Sequence, residues 1–204
     1  MLVNDVHQLQ GMEANLSGRY ALSRDIDAVE TAGWHGGAGF TPIGLGNRRF
    51  EGQLDGMNHV ISGLTIHRPR NDFVGLFSEL TGTVRNLGLE NVQVTANSHA
   101  GAITGYNGGI LNNVYATGTV SVDVEPGYGE QATGTAGGLA GSNGRNGLIK
   151  DAYSLVNVRG RAELGGIAGM NEGVIDSVYA TGKVGPPNFA DWLFKFGGLV
   201  GNNS

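Results

Sequence analysis

The chain has 204 residues, with 13 basic and 18 acidic side chains, a net charge of −5, 37 glycines, 5 prolines and no cysteine. Without cysteine there is no disulfide framework, thiol nucleophile or cysteine metal site. The dispersed, mildly acidic charge offers no footprint for nucleic acid or anionic lipid, and no apolar run approaches the roughly 18 residues of a membrane span, so neither nucleic acid binding nor membrane insertion by this segment is expected.

Taken from the start, Val6, Leu9 and Met12 share one helical face across Asn4 to Asn15, which predicts a short N-terminal helix able to cap the first unit of the fold. Met1 to Gln10 lack the basic start and apolar stretch of a secretory signal. Next come Tyr20-Ala21-Leu22 and Asp25-Ile26-Asp27, then an apolar-patterned stretch from Phe50 to Ile66 carried by Phe50, Leu54, Val60, Ile61, Leu64 and Ile66. In the following stretch, Gly82 to Val94, Leu87 and Leu89 point one way, but Val92 and Val94 fall out of phase by one residue. A bulge is therefore expected near Glu90-Asn91.

From residue 101 a degenerate glycine motif appears four times. It reads Gly101-Ala102-Ile103-Thr104-Gly105-Tyr106-Asn107, Gly137-Gly138-Leu139-Ala140-Gly141-Ser142-Asn143, Gly165-Gly166-Ile167-Ala168-Gly169-Met170-Asn171 and Gly197-Gly198-Leu199-Val200-Gly201-Asn202-Asn203. The closing asparagines recur at intervals of 36, 28 and 32 residues, the range of solenoids and arrays. Each of the first three copies leads into an alternating segment around Tyr115, Tyr153 or Tyr179. In the last, Val178, Ala180, Gly182 and Val184 share one face and Tyr179, Thr181 and Lys183 the other. Small inward residues favour a coil whose faces converge on a thin core over a two-layer sandwich.

The expected fold is all-β: a right-handed parallel β-helix, or β-solenoid, of about five to six coils. Residues 1–49 form an N-terminal cap and first coil, and residues 50–204 the repeats, in one continuous domain. Because the chain stops at Asn203-Ser204, where each earlier motif runs on into a strand, it reads as a fragment of a longer protein. Stacked coils would align Tyr115, Tyr153 and Tyr179 in one ladder and Asn107, Asn143 and Asn171 in another. The asparagines are expected to be turn residues, a type that tolerates left-handed geometry and bonds its own backbone, and the repeat glycines, among them Gly105, Gly141, Gly169 and Gly201, to serve turns and close backbone approaches.

These motifs resemble the GLUG-motif regions of filamentous-haemagglutinin-type large exoproteins, the bacterial adhesins exported by two-partner or autotransporter routes. The matching residues are the Gly-Gly-Leu/Ile-x-Gly-x-Asn units at 137, 165 and 197, the looser copy at 101, and the Tyr-Ala-Thr-Gly segments at 115 and 179. Upstream, Leu16 to Leu22, Asp25 to Ala28, Gly39 to Gly44 and Phe50 to Gly56 look like the coil that often precedes such repeats. The resemblance implies a secreted or bacterial cell-surface location and a non-catalytic adhesin module, acting as stalk, as binding surface, or as both. Its partners would be a glycan or protein receptor on a cell surface and neighbouring coils of the parent protein. It brings no cofactor and no catalytic residue, so the chain is expected not to be an enzyme. The motif also occurs in large secreted bacterial proteins that carry peptidase modules elsewhere.

Two insertions break the period, at 121–136 and 185–196, and insertions in a solenoid emerge on its surface, where specificity is usually placed. The second carries Phe189, Trp192, Phe194 and Phe196, an aromatic group able to stack on sugar rings or anchor a protein partner, or else to fold back as a small core. The first carries Tyr128 beside Asp123, Glu125 and Glu130, which match no calcium-loop spacing and read as a solvated acidic loop. A carbohydrate-active β-helix enzyme, a lyase or glycosidase, is the alternative. It needs clustered carboxylates, for which Asp151 and Asp176 on adjacent coils are candidates, although each also suits a turn. The histidines at 7, 35, 59, 67 and 99 show no paired metal spacing and are expected at the surface. Ice binding through threonine rows is a third class, drawing on Thr81-Gly82-Thr83 and Thr117-Gly118-Thr119.

Overall fold

The computed structural model describes residues 1–122, 134–161, 163–185 and 195–204. Over these residues the chain is mostly β, and its strands pair in parallel within three sheets that the chain visits in rotation. The short sheet holds His99–Ala100, Thr135–Gly137, Glu163–Gly165 and Phe196–Gly197. Two residues beyond each of these strands except the first, where the link is three, the chain enters an asparagine-bearing sheet through Thr104–Asn107, Ala140–Asn143, Ala168–Asn171 and Val200–Asn203, with Phe77–Leu80 at its upstream edge. It then runs out along the wide sheet, whose long strands are Thr83–Ala96, Ile110–Val122 and Leu148–Gly160, followed by Val174–Ala180.

Each row thus sets a residue beside its counterpart in the next repeat. Leu111 pairs with Ile149, Ala116 with Ser154 and Val120 with Val158, and on the other side Val114 pairs with Leu87. The alternation read in the sequence decides which face is buried: Val114, Ala116 and Val120 are inside, while Tyr115, Thr117 and Thr119 face outward. Downstream the core is filled by Ala, Val, Ile and Leu. Upstream it widens around Phe40, Phe50 and Phe77, all fully buried, with the Phe50 and Phe77 rings 4.7 Å apart. One hydrophobic cluster runs from Val3 to Ala168 without interruption at residue 50.

The N-terminal helix spans Val6–Gly11 and is followed by a tighter turn at Met12–Ala14. Asp5 caps it by accepting from the Gln8 N–H at 2.8 Å, and Val6, Leu9 and Met12 are buried, as their shared face predicts. Among the described residues no helix is long and apolar enough to cross a membrane.

The expected bulge is present. Leu89 pairs with Ala116 and Val92 with Gly118, so Glu90 and Asn91 together oppose Thr117, and the Asn91 N–H donates to Thr117 Oγ1 at 2.9 Å. The extra residue restores Val92 and Val94 to the core, where both are buried. The long strands also turn a corner. Asn86, Asn113, Asp151 and Ser177 stand one above another with φ of 52°, 52°, 50° and 54°, a left-handed conformation that separates the first part of each strand from its second.

The repeat asparagines are placed differently from their expected role. Asn107, Asn143 and Asn171 lie at strand ends without positive φ and point inward. They do bond nearby backbone, for example Gly109 N–H to Asn107 Oδ1 at 3.2 Å, but their main partners are one another. Left-handed geometry falls instead on the corner column. The repeat glycines serve close approach: a Cβ on Gly141 would lie 2.6 Å from the Gly105 carbonyl oxygen and 2.7 Å from the Ala100 nitrogen. Gly105, Gly169 and Gly201 occupy the same register position.

Candidate functional site

Beyond the corner, the wide sheet presents a flat outer face made of columns of register-matched side chains. One column runs Val60, Gly88, Tyr115, Tyr153, Tyr179. The three tyrosine rings stack with centroids 4.8 and 5.0 Å apart and planes within 3°. Gly88 gives the ladder its floor, because a Cβ there would meet the Tyr115 ring at 2.5 Å. Tyr115 donates its hydroxyl to Glu90 Oε1 at 2.8 Å. Burial, followed by this carboxylate, pushes its hydroxyl pKa up to about 12, and burial also raises Tyr153. Tyr179 is 53% exposed.

The neighbouring columns are polar apart from Leu155. Ser62 pairs with Glu90 and Thr117 with Leu155; Thr65 pairs with Gln93, Thr119 with Asn157, and Ser121 with Arg159. Thr117 and Thr119 therefore continue into Leu155 and Asn157, so the threonine rows do not persist across repeats. Asp25 stands beside Val60 and accepts from the Val60 N–H and His59 Nδ1, each at 3.0 Å. Its backbone bond, then its bond to His59, hold its carboxyl below the usual carboxylate value.

A second polar cluster sits where the short and asparagine sheets fold against each other. His99 Nδ1 lies 2.7 Å from Thr135 Oγ1, which lies 2.8 Å from Ser142 Oγ, and the His99 ring stacks on Phe73 at 4.6 Å. Thr135 and Ser142 are buried, and burial pushes the imidazole pKa down against the opposing pull of Asp72. His99 thus departs from the surface role expected of the histidines. His99 and Thr135 are register partners in the short sheet, 36 residues apart like Asn107 and Asn143, so the repeat spacing is a signal that pairs them; Ser142 joins them only where the asparagine sheet folds against the short sheet.

Of the residues named from sequence as binding candidates, Tyr128, Phe189, Trp192 and Phe194 lie outside the described residues, as do Asp123, Glu125 and Glu130 of the acidic loop. Phe196 is 41% exposed, yet its register partner is the buried Leu164, so it belongs to the inner column of the short sheet. Asp151 and Asp176 are not brought together as a carboxylate pair. Asp151 occupies the left-handed corner opposite Ser177, and Asp176 faces Lys150, with Oδ2 and Nζ 4.0 Å apart. Among the described residues no three His, Asp or Glu side chains gather around a common metal position.

No family model matches the chain. Two curated relatives align with it: halomucin of Haloquadratum walsbyi, 35% identical over 122 residues, and a Gly-rich membrane protein of Evansella cellulosilytica, 38% identical over 100 residues. These alignments take 57% and 47% of this chain but only 1% and 12% of the relatives. A solved structure from Bacteroides ovatus, provisionally named an immunoglobulin A1 protease, superposes with a TM-score of 0.77 at 28% identity, over all of this chain and 61% of that one. The expectation that the chain is not an enzyme is corrected by this neighbour, whose name is that of a protease. Absence of a recognisable catalytic motif in a repeat unit is no evidence about the chemistry of the protein the unit serves.

Proposed function

We propose that the three-sheet rotation is a right-handed parallel β-helix of about five to six coils, and that this GLUG-type unit is a stalk and binding surface of a large secreted or cell-surface adhesin. The observation that carries the reading is the in-register recurrence of Asn107, Asn143, Asn171 and Asn203 on the inside and Tyr115, Tyr153 and Tyr179 on the outside. A stack of this kind holds its outer columns rigid and displays insertions along one side. The names of the relatives, a halomucin and a membrane protein, are in keeping with export. The ligand class proposed is a cell-surface glycan or protein.

The test is a screen of the folded chain against a glycan array and against intact cells, with Trp192→Ala as paired control. Binding lost in the variant supports a recognition site in 185–196; binding absent from both leaves the stalk role alone.

The Bacteroides ovatus neighbour favours a second reading, in which the coils belong to a secreted peptidase and present its substrate. Incubation with immunoglobulin A1 and mass analysis of the products checks this directly. Intact immunoglobulin after prolonged incubation with the full parent protein speaks against it.

A further inference from the structure

The tyrosine column on the outer face of the wide sheet is preassembled for a covalent reaction. Tyr115, Tyr153 and Tyr179 are register partners on three successive rows, with rings 4.8 and 5.0 Å apart and planes within 3°. Among the described residues no other tyrosine has a tyrosine beside it: Tyr20 is paired with Leu54, and Tyr106 with Glu79 and Ser142. A phenol that gives up one electron and one proton becomes a phenoxyl radical with spin on its ortho carbons. Two such radicals held side by side join there, and holding them side by side removes the need for a chance encounter.

We propose that Tyr153 and Tyr179 form an oxidative cross-linking site, at which hydrogen peroxide acting through a haem-peroxidase-type one-electron oxidant joins the two rings and staples the strand Leu148–Gly160 to the strand Val174–Ala180. Each ring loses one electron and one proton, and a carbon–carbon bond forms between an ortho carbon of one ring and an ortho carbon of the other. The hydrogens on those two carbons pass through water to the phenolic oxygens, which restores both aromatic rings. One hydrogen peroxide takes up the two electrons and two protons and becomes two waters, so the chain is left lighter by two hydrogen atoms.

What holds each ring selects the pair. Stacked rings present faces, whereas the new bond needs edges, so each ring must turn about its Cβ–Cγ bond, a soft torsion. Tyr179 is the last ring of the column and 53% exposed, so it can turn, and its turning gives the half-buried Tyr153 room to follow. Tyr115 is pinned: its hydroxyl donates to Glu90 Oε1 at 2.8 Å, and its ring rests against Gly88, where there is no side chain to make way. Once the rings are edge-on, an ortho-ortho link sets their Cγ atoms only slightly farther apart than the stack already does, so the backbones keep their register. The link closes a loop of 26 residues (179 − 153) and opposes separation of the two rows. This site goes beyond the adhesin reading and does not depend on it.

Treatment of the full chain with hydrogen peroxide and a haem peroxidase, followed by proteolysis and mass spectrometry, tests the site. The expected product is a monomer lighter by two hydrogen atoms, with the peptides of Tyr153 and Tyr179 joined, formed in the same proportion on dilution and unfolding at a higher temperature than the untreated chain. Tyr153→Phe and Tyr179→Phe keep the stacked rings but lose the product, while Tyr115→Phe retains it; circular dichroism verifies that each variant is folded. The same reaction in urea, where the ladder is dispersed, loses the preference for this pair. A cross-link found only between chains overturns the proposal. So does oxidation that yields no link between these two residues, or a link that survives Tyr153→Phe or Tyr179→Phe or is lost in Tyr115→Phe.

Discussion

Asn107 donates its Nδ2–H to Asn143 Oδ1 at 2.7 Å, and both side chains are completely buried. Asn143 passes the pattern to Asn171, and Asn171 to Asn203, at the same 2.7 Å. A carboxamide carries donor and acceptor on one planar group, so a column of them satisfies itself indefinitely. A carboxylate cannot fill an inner position of such a column, because it has no hydrogen to donate to the next oxygen.

Asn143→Ala is expected to lower stability by about 3 kcal/mol, because it strands a donor on Asn107 and an acceptor on Asn171 in the dry interior. Asn143→Asp is worse at neutral pH. A carboxylate there accepts from Asn107 but confronts the carbonyls of Gly147 and Val174 and Asn171 Oδ1, all now receiving Asn143 Nδ2. Urea unfolding midpoints at neutral and acidic pH separate the two, with Asn143→Asp recovering part of its loss when protonated.

Gly141→Ala should cost about 2 kcal/mol or more, since the new methyl group runs into backbone atoms that no side-chain rotation can move. Gly11→Ala is the matched control. Nothing lies within 4 Å of its Cβ position, so the change is neutral or slightly stabilising by reducing the freedom of the unfolded chain. Thermal melts of the pair carry the comparison.

For His99 the folded pKa lies below the 6.5 of an ordinary histidine, chiefly because burial penalises the imidazolium. In the window between the folded value and 6.5 the unfolded chain binds more protons than the folded one, so stability falls as pH drops through 6.5 and levels off below the folded value. Replacing His99 by Gln removes this acid-side slope. Denaturation midpoints measured across the window in both proteins provide the check, and equal slopes would count against the assignment.

Tyr153→Ala removes both ring contacts of the outer ladder and is expected to cost about 1–3 kcal/mol. Glu90→Gln acts on chemistry more than on packing. With the carboxylate gone, the Tyr115 hydroxyl should ionise below its present value of about 12, which an ultraviolet titration of tyrosinate follows.

How much of this was legible depends on the range of the forces involved. Period-two alternation around Tyr115, Tyr153 and Tyr179 identifies the strands and their outward columns, because each strand's pattern is local. The phase slip at Val92 and Val94 is local too, and it locates the bulge. By contrast, Ser177 and Asp151 at the corner are not residues whose side chains demand a left-handed backbone, and the conformation comes from the turn shared with Asn86 and Asn113. The inward asparagines read as turn residues because their true partners lie a full repeat away. His99 reads as a surface residue for the same reason: its register partner Thr135 lies a full repeat away, and Ser142 reaches the pair only once the asparagine sheet folds against the short one.

Register partners in the asparagine column are separated by 36, 28 and 32 residues of chain. Under tension applied at the two ends, rows are loaded in series, and each can peel from its neighbour while the rest stay folded. A released row frees about 90 to 130 Å of extended polypeptide. Load on this chain is thus taken up as a staircase of sacrificial lengthening, with the buried amide column resetting the register as slack returns.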